Sequence, residues 1–213
     1  MASRLLSSVE YASLFVYSPR GPSSTATTSR EVCFDLKSDR NRMVERVVGF
    51  MRDDTIAERF SRFLSRDVVL VPTPRSAPLV EGAHWPARRI AEELVSQDFG
   101  RRVLPCLERT HAVASSHRAQ PGERPDVQAH YDSFRVAPEL EQPHSITIID
   151  DVLTRGDTLL AAASRVKEAY PNAEVRAFAV VRTMGLVPDI ERMTEPTVGT
   201  LTLLANGRVD RQP

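Results

Sequence analysis

Two adjacent acidic residues, followed by a short loop rich in hydroxyl groups, form the part of this chain best suited to chemistry. An apolar run ends in Asp150 and Asp151, and the next segment carries Thr154, Gly156 and Thr158 before a predicted helix. Glycine lets the backbone approach a ligand closely, the first N–H groups of the helix point at the ligand, and the hydroxyls add donors. The loop is therefore predicted to bind phosphate. The carboxylates, about one sugar ring away, are predicted to accept hydrogen bonds from vicinal hydroxyls or from Mg²⁺-bound water.

Three other kinds of site also place acids after an apolar strand. Each accounts for fewer of these residues than a phosphate-binding loop with two carboxylates does. A Walker B element serves a G-x-x-x-x-G-K-[ST] phosphate loop, but neither lysine of the chain, Lys37 or Lys167, follows a glycine. The acidic pair of a response-regulator receiver ends the first strand of its domain, whereas only 62 of the 213 residues follow Asp151. A helix N-cap explains one acid, but not two acids, two threonines and a glycine at fixed spacing.

The segment resembles the signature with which type I phosphoribosyltransferases bind 5-phosphoribosyl 1-pyrophosphate (PRPP). The shared pattern is an apolar strand, two acids, two residues, Thr, one residue, Gly, one residue and Thr. The resemblance implies that Asp150 and Asp151 act on the ribose and hold Mg²⁺ through PRPP or water. It also implies a set of residues that bind the 5-phosphate, namely Thr154, Arg155, Gly156, Asp157 and Thr158. Arg155 and Asp157 replace the small residues usual in the family. Arg155 is expected to add positive charge to the phosphate site, and Asp157 to face solvent.

The resemblance covers roughly residues 66–185 and is greatest to the ComF-like branch of the family. There a strand that ends in Val-Pro begins the fold, as Val71-Pro72 does here, and the turn after it binds pyrophosphate. By this resemblance Arg75 and Ser76 are pyrophosphate-binding residues, and an arginine fork suits two phosphate groups. The Arg-Gly-Phe usual shortly afterwards is replaced by Gly-Ala-His-Trp at residues 82–85.

Residues 109–133 are polar, rich in His, Pro and Arg, and without periodicity. A segment of that length inside a domain is either functional or disordered. In the resemblance it matches a mobile catalytic loop that closes over PRPP and excludes water. His117, Arg118 and Arg124 are candidates to stabilise pyrophosphate. The resemblance implies that the catalytic residues are Asp150, Asp151, Arg118 and Arg124. The histidines lack regular ligand spacing, so zinc is not expected.

Hydrophobic periodicity around these motifs predicts an α/β fold. Short apolar runs predict strands buried on both faces of a parallel sheet, and apolar residues at helical spacing predict helices between them. The predicted strands are residues 67–71, 102–107, 145–149 and 174–181, and the predicted helices include 85–97 and 157–170. Two earlier helices are expected around Met43 and after Asp53 or Asp54. Residues 1–29 are expected to be irregular, and Asn206-Gly207 predicts a two-residue hairpin turn.

The predicted fold class is a type I phosphoribosyltransferase-like α/β fold, in which helices flank a mostly parallel central sheet and the termini form a variable hood. The expected divisions are an N-terminal arm with helices at residues 1–65, the core at 66–185 and a C-terminal hood or hairpin at 186–213. Acceptor choice is expected to depend on the hood, where no sequence pattern identifies a base.

Charge and cysteine content narrow the class of protein. The 28 basic and 28 acidic residues cancel, so direct binding of nucleic acid is not expected. No apolar run approaches the roughly 18 residues that a membrane span requires, so no membrane association is expected. Two widely separated cysteines predict neither a disulfide framework nor a zinc site, so the protein is expected in the reducing cytoplasm.

Two classes of function fit these residues. One is an Mg²⁺-dependent phosphoribosyltransferase that releases pyrophosphate from PRPP and transfers the phosphoribosyl group to a small-molecule acceptor or to water. The other is a regulatory module that senses PRPP or a nucleotide without chemistry. Residues 17–21 and 75–78 are also similar to the phosphoribosyltransferase toxins of bacterial toxin–antitoxin pairs. That resemblance implies a DprA-like antitoxin as protein partner, and the family as a whole is often dimeric.

Overall fold

A computed structural model describes residues 5–38, 42–80, 82–114, 125–137, 139–185 and 187–213. These residues form nine strands and six helices. The strands are β1 (Ser8–Tyr17), β2 (Val69–Pro72), β3 (Arg102–Val103), β4 (Leu107–Arg109), β5 (Phe134–Val136), β6 (Ser145–Leu153), β7 (Glu174–Thr183), β8 (Thr194–Leu203) and β9 (Val209–Gln212). The helices are α1 (Ser24–Ser38), α2 (Met43–Phe50), α3 (Asp54–Phe60), α4 (Pro86–Ser96), α5 (Val127–Ser133) and α6 (Asp157–Ala169).

Seven strands form one central sheet in the order β3-β2-β6-β7-β1-β8-β9. The first five are parallel to one another, whereas β8 is antiparallel to both β1 and β9. The chain passes from β6 through α6 to the parallel strand β7, which is a βαβ unit. The protein is therefore an α/β protein whose mostly parallel sheet is flanked by helices, and this part of the prediction is confirmed.

Two hydrophobic cores, one on each face of the sheet, hold the helices in place. On β6, Ile146 and Ile148 join the core that contains Val127 of α5 and Leu159 of α6. Ile149 belongs to the other core, to which helices α1, α2, α3 and α4 contribute. Both faces are covered, which explains why the central strands are almost continuously apolar. None of the described helices combines the length and apolarity needed to cross a bilayer.

The prediction that residues 1–29 are irregular is wrong where β1 and the start of α1 lie, and the first four of these residues fall outside the described ones. β1 lies between β7 and β8 inside the sheet, and its apolar residues are buried on both faces. The Ser- and Thr-rich run behind it contains a helix start, because the Ser23 Oγ accepts a hydrogen bond from the Ala26 N–H at 3.0 Å. A role of the termini as a hood stays a prediction, although β1, β8 and β9 are all strands of the central sheet.

Two further predictions need correction in detail. The strand predicted at residues 102–107 is divided, because Pro105 interrupts it, and β4 pairs with β5 in a separate two-stranded sheet. The C-terminal hairpin is confirmed, but five residues, 204–208, connect its strands, with Gly207 at φ 78°. Asp53, rather than Asp54, caps α3 by accepting a hydrogen bond from the Thr55 N–H at 3.0 Å.

Candidate functional site

Asp150 and Asp151 lie at the carboxyl edge of the parallel strands, where they line a cavity of about 510 Å³. The sequence predicted that the strand ends before the two acids. β6 instead continues to Leu153, so both acids lie within the strand. β2 is the neighbour of β6, and the turn after β2 therefore reaches the same edge of the sheet. Four other predicted site residues line this cavity, namely Arg75, Ser76, Thr154 and Thr158.

The two carboxylates are closely held. Asp150 Oδ1 accepts hydrogen bonds from the Thr73 Oγ1 at 2.8 Å and from the Asp151 N–H at 3.0 Å. Asp151 Oδ1 accepts one from the Val152 N–H at 2.8 Å. Burial, and then the neighbouring negative charge of Asp151, raise the pKa of Asp150 far above the usual carboxyl range. Two crowded carboxylates of this kind are stabilised by a cation or by hydroxyl donors of a ligand.

The turn after β2 is fixed by hydrogen bonds on both of its sides. The Thr73 N–H donates to the Ile149 carbonyl at 2.9 Å, and the Trp85 Nε1–H donates to the Thr73 carbonyl at 2.6 Å. The exposed Arg75 side chain donates to the His84 carbonyl at 3.1 Å. Trp85 therefore supports the turn. Because Thr73 also donates to Asp150, hydrogen bonds connect Trp85 through Thr73 to the acidic pair.

Arg109 is a cavity residue to which the sequence assigned no role. Its side chain is buried, donates from Nε to the Arg75 carbonyl at 2.6 Å and from Nη1 to the Ser133 Oγ, and lies 4.3 Å from the centroid of the Phe134 ring. Burial lowers the pKa of Arg109 to about 10, although Asp150 opposes the shift. A sequence signal for this burial was present. Side chains alternate between the two faces of a strand, so Arg109 lies on the same face of β4 as the buried Leu107.

The loop after β6 has the backbone that its glycine predicts. Gly156 precedes α6 with φ 104°, and a Cβ atom there would lie 2.6 Å from the Leu201 Cδ2. Arg211 of β9 donates to the Thr154 carbonyl at 2.8 Å and to the Thr183 carbonyl at 2.6 Å, so the C-terminal strand supports this loop. Thr154 and the first turn of α6 consequently face the cavity, where N–H and hydroxyl donors suit an anion.

Arg155 and Asp157, the two departures from the family pattern, pair with each other. Arg155 Nε lies 2.9 Å from Asp157 Oδ2, and Arg155 Nη2 donates to the Pro125 carbonyl at 3.3 Å. The expectation that Asp157 faces solvent is wrong, because only 8% of the residue is exposed. Burial is the main cause that raises the pKa of Asp157, and the Arg155 guanidinium opposes it. The charge expected from Arg155 is thus offset by its neighbour, and the pair stands beside the cavity instead of lining it.

Four further residues of the polar segment 109–133 remain to be placed. Arg118 and Arg124, together with His117, fall outside the described residues, so their roles stay predictions. His130 was noted only as part of the polar segment, yet it is buried and lines the cavity near Thr158.

No protein-family model matches the chain, and no match was found among curated proteins. The function is therefore inferred from the arrangement of these side chains.

Proposed function

We propose that the protein is an Mg²⁺-dependent phosphoribosyltransferase that binds PRPP, releases pyrophosphate and transfers the phosphoribosyl group to a small acceptor or to water. One observation carries the proposal. The acidic pair, the threonines after β6 and the Arg75–Ser76 turn after β2 all line a single cavity. These three groups match the three parts of PRPP, which are its ribose, its 5-phosphate and its pyrophosphate.

The specific fold of type I phosphoribosyltransferases is part of the same proposal. It is supported by the position of the two loops. The loop after β6 and the turn after β2 follow adjacent parallel strands, so their backbones open at the same edge of the sheet. In open α/β sheets this edge is where ligands bind.

Each end of the cavity has groups suited to phosphate. At the 5-phosphate end, the hydroxyls of Thr154 and Thr158 and the N-terminus of α6 offer hydrogen-bond donors. At the pyrophosphate end, Arg75 offers a guanidinium and Arg109 adds a second, buried one. Arginine binds phosphate oxygens in a bidentate manner, which fixes their orientation as well as their charge.

The acidic pair fits Mg²⁺ that arrives with the substrate. Among the described residues, no three or more His, Cys, Asp or Glu side chains cluster to hold a metal. Mg²⁺, however, is often bound by one or two carboxylates and completes its six ligands with water and substrate phosphates. Asp150 and Asp151, whose crowded negative charges favour a cation, would be those carboxylates. When bound, the ion would neutralise charge on the pyrophosphate.

The protein would contribute by positioning and by charge stabilisation. The bond between C1 of the ribose and pyrophosphate would break, and its electron pair would leave with the pyrophosphate. The acceptor, or water, would then donate an electron pair to C1 and lose a proton. Asp150 and Asp151 would stabilise positive charge that develops on the ribose, while Arg75 would stabilise the departing pyrophosphate. Arg118 and Arg124 stay predicted contributors to the same step.

Pyrophosphate release from PRPP, measured with Mg²⁺ against a panel of purines, pyrimidines and water alone, tests the proposal. We expect release with at least one acceptor and its loss in the double variant Asp150→Asn plus Asp151→Asn. Asp67→Asn, which removes an exposed carboxylate just before β2, is the control and should retain activity. Release that is unchanged in the double variant would refute the proposal. Binding of PRPP without release from the wild type would favour the sensing module instead.

A further inference from the structure

His130 is a buried histidine at the phosphate end of the cavity. It lies on α5, is 4% exposed and lines the cavity together with Thr158. Its Nε2 lies 3.4 Å from the Thr158 Oγ1, a long hydrogen bond, and its ring stacks on Phe134 at a centroid distance of 6.3 Å. The other ring nitrogen, Nδ1, is buried and has no hydrogen-bond partner among the described residues.

The surroundings of His130 keep its ring neutral near pH 7. Burial is the largest cause, and Arg109 of β4 and Arg155 of the loop after β6 also disfavour a positive charge. Asp126, at the start of α5, opposes them. Together these groups lower the pKa of His130 to about 4. A neutral imidazole carries one proton, on either Nδ1 or Nε2.

The unpartnered Nδ1 decides between these two forms. A proton on Nδ1 would be a buried N–H donor without an acceptor, and such orphaned donors are rare. A proton on Nε2 is instead donated to the Thr158 oxygen, and Nδ1 keeps only an unused lone pair. The second form has the smaller penalty, because an unmatched acceptor is better tolerated than an unmatched donor.

The direction of this hydrogen bond determines what Thr158 does with its own proton. A threonine hydroxyl has one proton to donate. If it accepts from His130, it is free to donate that proton to another group, and Thr158 borders the cavity. An oxygen that only accepts, such as a phosphate oxygen, is the matching ligand atom.

We infer that His130 is a positioning residue, which donates from Nε2 to Thr158 and thereby directs the threonine proton to an anionic phosphate oxygen of the ligand. The inference rests on the proposed binding of a ribose 5-phosphate group at this loop. It makes the loop selective for a phosphate ester over the free sugar, since a hydroxyl of ribose lacks the charge that a donor oriented in this way favours.

Nitrogen-15 NMR of the histidine side chains at pH 7 tests the proton position without any ligand. The spectrum of His130, assigned by its loss in His130→Gln, should report a protonated Nε2 and a bare Nδ1. The exposed His144 supplies an internal reference. A protonated Nδ1, or a doubly protonated ring, would overturn the inference.

Binding of ribose 5-phosphate, measured by calorimetry, tests the consequence. His130→Phe keeps a ring against Phe134 but removes the donor that orients Thr158. It should weaken binding about tenfold, as expected when the Thr158 hydrogen bond to a charged phosphate is lost. His130→Gln places an amide N–H near the former Nε2 and should restore most of the affinity. Thr158→Val should weaken binding to the same degree, and His130→Phe should add little to it. Thermal unfolding of each variant checks that it is folded.

The outcomes separate this inference from the proposed function. Wild-type binding of ribose 5-phosphate with full affinity in His130→Phe would overturn the role of His130 and leave the proposed function standing. Equal losses in His130→Phe and His130→Gln would also overturn it, because packing and not donation would then be responsible. If the wild type binds neither PRPP nor ribose 5-phosphate, the inference and the proposed function both fail.

Discussion

Replacing Arg155 by methionine tests the contribution of the Arg155–Asp157 ion pair, which lies where the loop after β6 meets α6. Arg155 faces Asp157 at 2.9 Å, with 10% of the Asp157 side chain and 40% of the Arg155 side chain exposed. Arg155→Met keeps a long side chain but leaves the Asp157 carboxylate without its counter-charge. Asp157→Asn leaves a guanidinium that is partly hydrated already. The arginine substitution should therefore be the more damaging of the two.

The magnitudes follow from this difference in exposure. Breaking a buried ion pair costs about 3–5 kcal/mol, and an exposed pair contributes about 0–1 kcal/mol. Since the Arg155 side chain is 40% exposed, we expect Arg155→Met to lower the free energy of unfolding by about 2 kcal/mol. Asp157→Asn should cost about 1 kcal/mol, partly because it removes a negative charge from the first turn of α6. The double variant should cost about 1.5 kcal/mol, so the two sites are coupled by about 1.5 kcal/mol.

Urea denaturation of the four proteins at pH 7 provides the assay. The exposed pair Arg66–Asp98, at 2.6 Å with 75% and 65% of its side chains exposed, is the matched control and should couple by less than about 0.5 kcal/mol. Burial raises the folded-state pKa of Asp157, so its ionisation disfavours folding once the pH exceeds the unfolded value. The deficit of Arg155→Met should consequently shrink as the pH falls towards 4. Equal effects of the two single substitutions, or no coupling, would refute this account of the pair.

Two further predictions concern the same region. Gly156→Ala should destabilise the protein by about 2–3 kcal/mol in urea denaturation, because it combines an unfavourable positive φ with a clash against Leu201. Gly207→Ala, at φ 78° with open space around it, is the control and should cost about 1 kcal/mol. Equal costs would contradict the packing argument. The lowered folded-state pKa of His130 means that its contribution to stability is fully present above the unfolded value of about 6.5 and falls by about 3 kcal/mol as the pH approaches 4. Unfolding of His130→Gln between pH 4 and 7 should lack this dependence, His144→Gln should keep it, and the same acid-side loss in all three proteins would contradict the assignment.

The motif that joins β6 to α6 could be predicted from sequence because its chemistry is local. Strand, acids, glycine and helix start follow one another within thirteen residues, 146–158, and each acts on its neighbours. β2 and its turn were also predicted, since an apolar run ended by prolines has few alternatives. These two segments lie side by side because β2 pairs with β6. That pairing joins strands far apart in the sequence, so no local sequence pattern predicts it.

The errors came from interactions between residues that are distant in sequence. β1 has the apolar character of a central strand, but its place between β7 and β8 depends on partners more than 150 residues away. Asp157 was expected in solvent because a helix start is usually exposed, whereas it is buried beside Arg155, whose side chain donates to the distant Pro125 carbonyl. Arg109 was assigned to a polar segment without periodicity, so its burial at the end of β4 was not predicted.

The most direct test of the central claim is calorimetric titration of the protein with PRPP in the presence of Mg²⁺. We expect saturable binding at one site per chain, weakened at least about tenfold without Mg²⁺ and in Asp150→Asn plus Asp151→Asn, because the acidic pair would lose its cation and its hold on the ribose. Asp67→Asn should bind as the wild type does. Absence of PRPP binding by the wild type, or equal affinity in the double variant, would contradict the assignment of this cavity to PRPP.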